Sequence, residues 1–293
     1  GRLVDIGGHY LHGHARGAAA GNPPVVLLAA EGGYSGSWAW VQPEVGRFTQ
    51  AVAYDRAGLG WSEADAEPAD ARHAVSQLLA ALERAGVPAP YVLVGHSLGA
   101  FHARFLADLY PDRVAGMVLL DPPAPELVAR LPAAFQDEQR GLERRAGLLP
   151  YLAAFGLLRL ANPADQLARG LPEREAADAR FLLASVRQAA ALRDELRELA
   201  PGSVTAAQIG RLASHPGALG DLPLVVLSRS LPADERTVAE QEAAAEWSRL
   251  STIGSHWVVP GVDHFTLVTE RGGARWVVEA VRRVTQAARQ RPR

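Results

Sequence analysis

A chain of 293 residues, 48% hydrophobic and 21% charged, has the length and composition of one large globular α/β domain, or of a core domain carrying an insertion. Its formal net charge of -2 gives no reason to expect nucleic acid or an anionic membrane surface as partner. With no cysteine, disulfides, thiolate metal sites and a cysteine nucleophile are excluded; all 30 basic residues are arginine, a compositional bias with no mechanistic meaning.

The N-terminus has no charged-then-apolar leader, and no apolar run approaches the ~18 residues of a membrane span. A soluble protein without stable membrane insertion is expected, cytoplasmic by default, with secretion after loss of a leader left open. Residues 2–16 alternate around Gly7-Gly8 and predict an N-terminal β-hairpin. On it His12 and His14 share a face and His9 points the other way, with no carboxylate completing a ligand set. A polar hairpin face is expected there, and no metal.

Pro24–Ala30 is a continuous apolar run, as in a strand buried on both faces, and it ends in the small-residue loop 31–38. A helix over 41–48 and a strand over 51–54 follow, then the loop Asp55-Arg56-Ala57-Gly58-Leu59-Gly60-Trp61-Ser62. Val75, Leu78, Leu79, Leu82 and Ala85 recur at helical spacing up to Gly86. Next comes Tyr91-Val92-Leu93-Val94-Gly95-His96-Ser97-Leu98-Gly99-Ala100-Phe101, an apolar run that stops at one Gly and restarts as a helix past a second. Between them Ser97 stands in the pattern G-x-S-x-G.

That pattern carries chemistry where it joins a strand to a helix, because the sharp turn holds the serine hydroxyl outward. Gly95 and Gly99 leave out side chains that would collide across the bend, and the following helix sets its positive end beneath a developing oxyanion. The plain alternative is a Gly-bounded turn with a solvent-facing serine.

Val114–Leu120 is another buried strand, ending at Asp121-Pro122-Pro123. From 124 to 216 strand-like runs disappear and helical stretches broken by Pro and Gly replace them, which predicts an inserted helical cap on a core made of 1–123 and 217–293. A strand over 222–228, a charged helix over 233–250, a strand over 255–259, the turn Val262-Asp263-His264-Phe265 and an amphipathic helix over 274–288 complete the chain. Strands alternating with helices make a mostly parallel central sheet with helices on both faces, and reactive groups gather at the carboxyl ends of such strands. Ser97, Asp121, His264 and the loop 31–33 all fall there.

The elbow Gly95–Gly99, the segment Asp55-Arg56-x-Gly-x-Gly-x-Ser62 and the late His264 appear in the order found in the α/β-hydrolase family, which the chain resembles over nearly its whole length apart from the cap. It looks most like the capped serine esterases, lipases and lactonases. Epoxide hydrolases and haloalkane dehalogenases are similar folds with Asp where this chain has Ser97. The resemblance implies Ser97 as nucleophile and His264 as base. Two departures stand out. Glu31-Gly32 occupies the place of the family's His-Gly, so Gly33 is matched as one oxyanion donor beside Leu98, and Glu31 either orders the loop or brings a carboxylate near the substrate. The family's usual acid position, after the strand over 222–228, holds no carboxylate until Asp234, so Asp121 is favoured, with Asp234 the alternative acid and Asp263 a third. His96 is expected to point away from Ser97, and His256 to be structural.

The implied activity is hydrolysis of small to medium hydrophobic esters or lactones through an acyl-enzyme, with no cofactor and no metal. The same triad can serve a carbon–carbon bond, a thioester or a peracid, or stand in a low-turnover binding member of the fold. The stretch 148–158 is either an apolar pocket lid or a cap helix packed on the core, and no substrate role is assigned to Trp38, Trp40 or Trp61. Monomer and homodimer are equally compatible with the sequence.

Overall fold

Continuous Val and Leu runs make strands that must be covered on both faces, and helices with one apolar stripe make the covers. The computed structural model, which describes residues 1–66, 70–123, 141, 145–160, 165–200, 202–212 and 214–291, has this arrangement. Among the described residues the strands are β1 (Arg2–Asp5), β2 (Tyr10–Arg16), β3 (Val25–Leu28), β4 (Ala51–Tyr54), β5 (Tyr91–His96), β6 (Val114–Leu120), β7 (Leu224–Ser228) and β8 (Ser255–Val258). They form one sheet in the order β1-β2-β4-β3-β5-β6-β7-β8. β2 pairs antiparallel with β1 and with β4, and the remaining pairs are parallel.

The α-helices are α1 (Gln42–Val45), α2 (Ala71–Arg84), α3 (Leu98–Leu109), α4 (Leu149–Ala154), α5 (Asp165–Ala168), α6 (Glu173–Leu183), α7 (Val186–Glu198), α8 (Val204–Ile209), α9 (Glu235–Ser248), α10 (Thr266–Thr269) and α11 (Arg271–Gln290). Alternate residues of one strand serve opposite faces. Leu93 of β5 packs with Leu78 of α2 and Phe101 and Phe105 of α3. Val92 and Val94 pack with Val45 of α1 and Val277, Val281 and Val284 of α11. Helix α2 begins before its apolar periodicity does, because Asp70 caps it by accepting the His73 N–H (2.9 Å).

Between β6 and β7 the described residues hold helices and no strand. Residues 124–140, 142–144, 161–164, 201 and 213 of the expected cap lie outside the described residues. The apolar stretch 148–158 divides: Ala153 and Leu158 pack with Ala184 and Ala189 inside the insertion, while Tyr151 and Phe155 face outward. Helix α7 reaches the carboxyl edge of the sheet, where Arg187 donates to the Gly60 carbonyl (2.6 Å) and Gln188 Oε1 accepts the Gly60 N–H (2.7 Å). Among the described residues no helix is long and apolar enough to cross a membrane.

Candidate active site

Ser97 joins β5 to α3 at φ 51 and ψ -119, a backbone conformation that L-residues rarely adopt. The bend is possible because two residues lack side chains. A Cβ on Gly99 would lie 2.2 Å from the Leu28 carbonyl oxygen, and one on Gly95 would lie 2.3 Å from that of Gly99. The Ser97 N–H donates to the Leu120 carbonyl (3.0 Å), tying the elbow to the end of β6. Leu98 opens α3, so its N–H has no acceptor within the helix.

Asp121 directly follows β6 at φ 44. Its Oδ2 accepts a 2.6 Å hydrogen bond from His264 Nδ1, whose residue sits in the turn between β8 and α10. With the Nδ1 proton held there, Nε2 is left as the basic nitrogen. Arg229, just past β7, donates to Asp121 Oδ2 through Nη1 (2.5 Å) and to Oδ1 through its backbone N–H (3.3 Å). Its other guanidinium nitrogen pairs with Glu240, which also holds Arg236 (2.9 Å). His96, the residue before Ser97, donates from Nε2 to the His264 carbonyl (2.9 Å), and the two rings lie 4.7 Å apart. His264 thus lies against the elbow. Its side chain is 26% exposed and that of Asp121 6%, so the imidazole is open to solvent while the carboxylate is shielded.

These contacts set the charges. Burial pushes the Asp121 carboxyl up, but the hydrogen bond and charge of His264, with the Arg229 guanidinium, hold it well below the usual carboxylate range. Burial pulls His264 down; the hydrogen bond and charge of Asp121, helped by the charge of Glu31, outweigh it and raise the imidazole above its ordinary value. His96 is pulled down to about 3, by burial first and then by the His264 charge, so it is a neutral donor at pH 7. Activity that needs neutral His264 should therefore rise with pH through a midpoint above the ordinary imidazole value. Glu31→Gln removes a charge that favours the imidazolium, so this midpoint should move to lower pH; a kcat/KM–pH profile measures it.

Other sequence candidates take different places. Asp234 is the N-cap of α9, accepting the Thr237 N–H (2.8 Å) from an exposed position, and it is Asp121 that bonds His264. Asp263 shapes the turn beside His264, accepting from the N–H groups of Phe265 (3.1 Å) and Thr266 (2.9 Å) and pairing with Arg169. His256 bonds Ser228 Oγ (2.8 Å), His12 bonds Asp55 (2.8 Å) and His14 bonds Gln42 (2.9 Å). Trp38 is buried in the core, Trp40 donates to the Gly170 carbonyl (2.7 Å), and Trp61 stacks on Phe181.

The Gly33 N–H closes the turn Ala30–Gly33 by donating to the Ala30 carbonyl (3.0 Å). The N–H of Glu31, at the first corner of that turn, has no acceptor among the described residues. Glu31 Oε2 is likewise buried and has no hydrogen-bond partner among them, so that oxygen does not order the loop. Sequence reasoning missed Arg229 and the hydrogen bond of His96. The signal for Arg229 was available: a lone cation stood at the strand end searched for an acid.

A model of the Alpha/beta hydrolase family matches residues 11–279. The human (lyso)-N-acylphosphatidylethanolamine lipase is 28% identical over 144 residues, 48% of this chain and 42% of that protein. A Klebsiella pneumoniae protein named as a carbamate hydrolase is 35% identical over 161 residues, 54% of this chain and 58% of that protein. The chain spans about half the length of the curated relatives it matches. A solved Pseudomonas aeruginosa structure described as an epoxide hydrolase superposes with a TM-score of 0.77 at 19% identity, covering 99% of this chain and 96% of that one, a likeness of fold.

Proposed function

This chain belongs to the alpha/beta hydrolase family, and from that premise we propose that it is a serine hydrolase cleaving carboxylic esters or lactones through an acyl-enzyme on Ser97. The observation that carries the reading is the 2.6 Å hydrogen bond from His264 to the buried Asp121, in a turn that lies against the Ser97 elbow. A serine hydroxyl is almost wholly protonated at neutral pH and needs such a base.

Ser97 Oγ attacks the acyl carbon while its proton passes to His264 Nε2, and Asp121 stabilises the imidazolium. The carbonyl oxygen becomes an oxyanion, received by the N–H of Leu98 and by a backbone N–H of the loop 31–33 that holds Gly33. Collapse expels the alcohol oxygen, which takes the proton from His264. Water then gives His264 a proton as its oxygen adds to the acyl carbon, and the second collapse returns that proton to Ser97 Oγ and releases the acid. The insertion 124–216, helical in its described residues, acts as a cap over the core formed by 1–123 and 217–293. No step calls for a metal or a cofactor.

The test is a ladder of p-nitrophenyl esters, acetyl to decanoyl, with wild type and Ser97→Ala. Turnover that disappears in the variant supports the reading, and the preferred chain length sizes the acyl pocket. A folded wild type that turns over none of them would favour a thioester, a peracid, a carbon–carbon bond or simple ligand binding.

A further inference from the structure

Resting on that oxyanion reading, we propose that helix α7 of the insertion is a positioning element of the catalytic centre: its Gln188 and Glu195, with Arg56 of the core, fix the turn 30–33, whose backbone N–H groups border the oxyanion. Gly32, in the middle of this turn, has both backbone polar groups held by α7. Its N–H donates to Glu195 Oε2 (2.7 Å), and its carbonyl accepts from Gln188 Nε2 (2.9 Å). Residues 188 and 195 lie two helical turns apart on one face, so a single rigid element grips the peptide from both sides.

The second oxygen of Glu195 accepts from Arg56 Nε (2.5 Å). The same guanidinium donates to the carbonyls of Ala29 and Ala30, each at 2.6 Å. The Ala30 carbonyl also receives the Gly33 N–H. In a planar trans peptide the C=O and the following N–H point in opposite directions, so fixing the Ala30 oxygen fixes the direction of the Glu31 N–H. Gln188 is 0%, Glu195 4% and Arg56 6% exposed, which leaves water no room to compete for these bonds.

The close approach depends on Gly32, at φ +65, where a Cβ would come within 2.8 Å of Leu192 Cδ1. A cap that only covered the core could dock through apolar side chains, and a buried ion pair is usually no more stabilising than such packing. Holding a peptide in one orientation is a task that directional bonds perform and apolar packing does not. It follows that the centre is complete only while α7 is docked.

Glu195→Gln and Gln188→Met should be compared with wild type for kcat and KM on p-nitrophenyl butyrate, per active site titrated with a fluorophosphonate and well below each variant's Tm. The second measurement is inhibition by butylboronic acid, whose adduct on Ser97 carries a tetrahedral anion. We expect kcat to fall at least about tenfold, toward the roughly 10²–10³-fold that loss of an oxyanion donor costs. KM should stay within about threefold, and boronate affinity should weaken in step with kcat/KM. Unchanged kcat and boronate affinity beside a lowered Tm would overturn the proposal and leave a structural ion pair. If Glu195→Gln does not fold, Gln188→Met, which keeps that pair, decides by the same two numbers. Turnover surviving in Ser97→Ala would instead overturn the serine-hydrolase reading itself.

Discussion

His264→Ala is expected to lower kcat on p-nitrophenyl butyrate by about 10⁶-fold, close to the loss expected for Ser97→Ala, because nucleophile and base act as one unit. Without the imidazole, the Ser97 proton has no acceptor at the moment of attack, and the leaving oxygen has no donor at collapse. The same logic makes the effects non-additive. A Ser97→Ala/His264→Ala double variant should lose no more than either single variant, and single-turnover rates of all three proteins test this directly. A double variant far slower than both singles would mean that the two side chains work independently, contrary to the reading above.

Asp121→Asn should cost about 10⁴-fold in kcat while leaving the fold in place. The amide keeps the volume and can still accept from Arg229, but it no longer offers a charge to the imidazolium, and it can impose the wrong tautomer on His264. The pH profile gives an independent sign. Asp121 is the main reason that His264 lies above its ordinary value, so the acid limb of kcat/KM should move to lower pH as the plateau drops. Asp234→Asn is the control: asparagine caps a helix as well as aspartate does, so both kcat and Tm should stay at wild type. The opposite pattern, with full activity in Asp121→Asn and loss in Asp234→Asn, would reassign the acid.

The parts legible in the sequence were those that local chemistry dictates. The strand–Gly–Ser–Gly–helix run specifies a sharp turn wherever it occurs, and the uniformly apolar runs of β3, β5 and β6 specify strands covered on both sides. Asp121 could be preferred because strand ends carry reactive groups, although only three dimensions show that it is shared by His264 and Arg229. The Arg56–Glu195 pair could not be read at all. Its members are separated by 139 positions, and each looks like an ordinary surface charge in its own helix or loop. The turn at Gly33 was hidden for a related reason: counting positions in a glycine-rich loop does not reveal which N–H the turn itself takes up.

Ser97 at φ 51 and Asp121 at φ 44 both have a positive φ, where side chains are unwelcome. Such residues cost on the order of 1–3 kcal/mol each, against a total stability of only about 5–15 kcal/mol for an ordinary domain. Glycine at either position would relieve the strain and abolish the chemistry. On the serine-hydrolase reading, heat resistance and turnover therefore pull this sequence in opposite directions at these two positions. A laboratory selection for survival at high temperature alone, with no demand for catalysis, would be drawn toward inert proteins with the same fold.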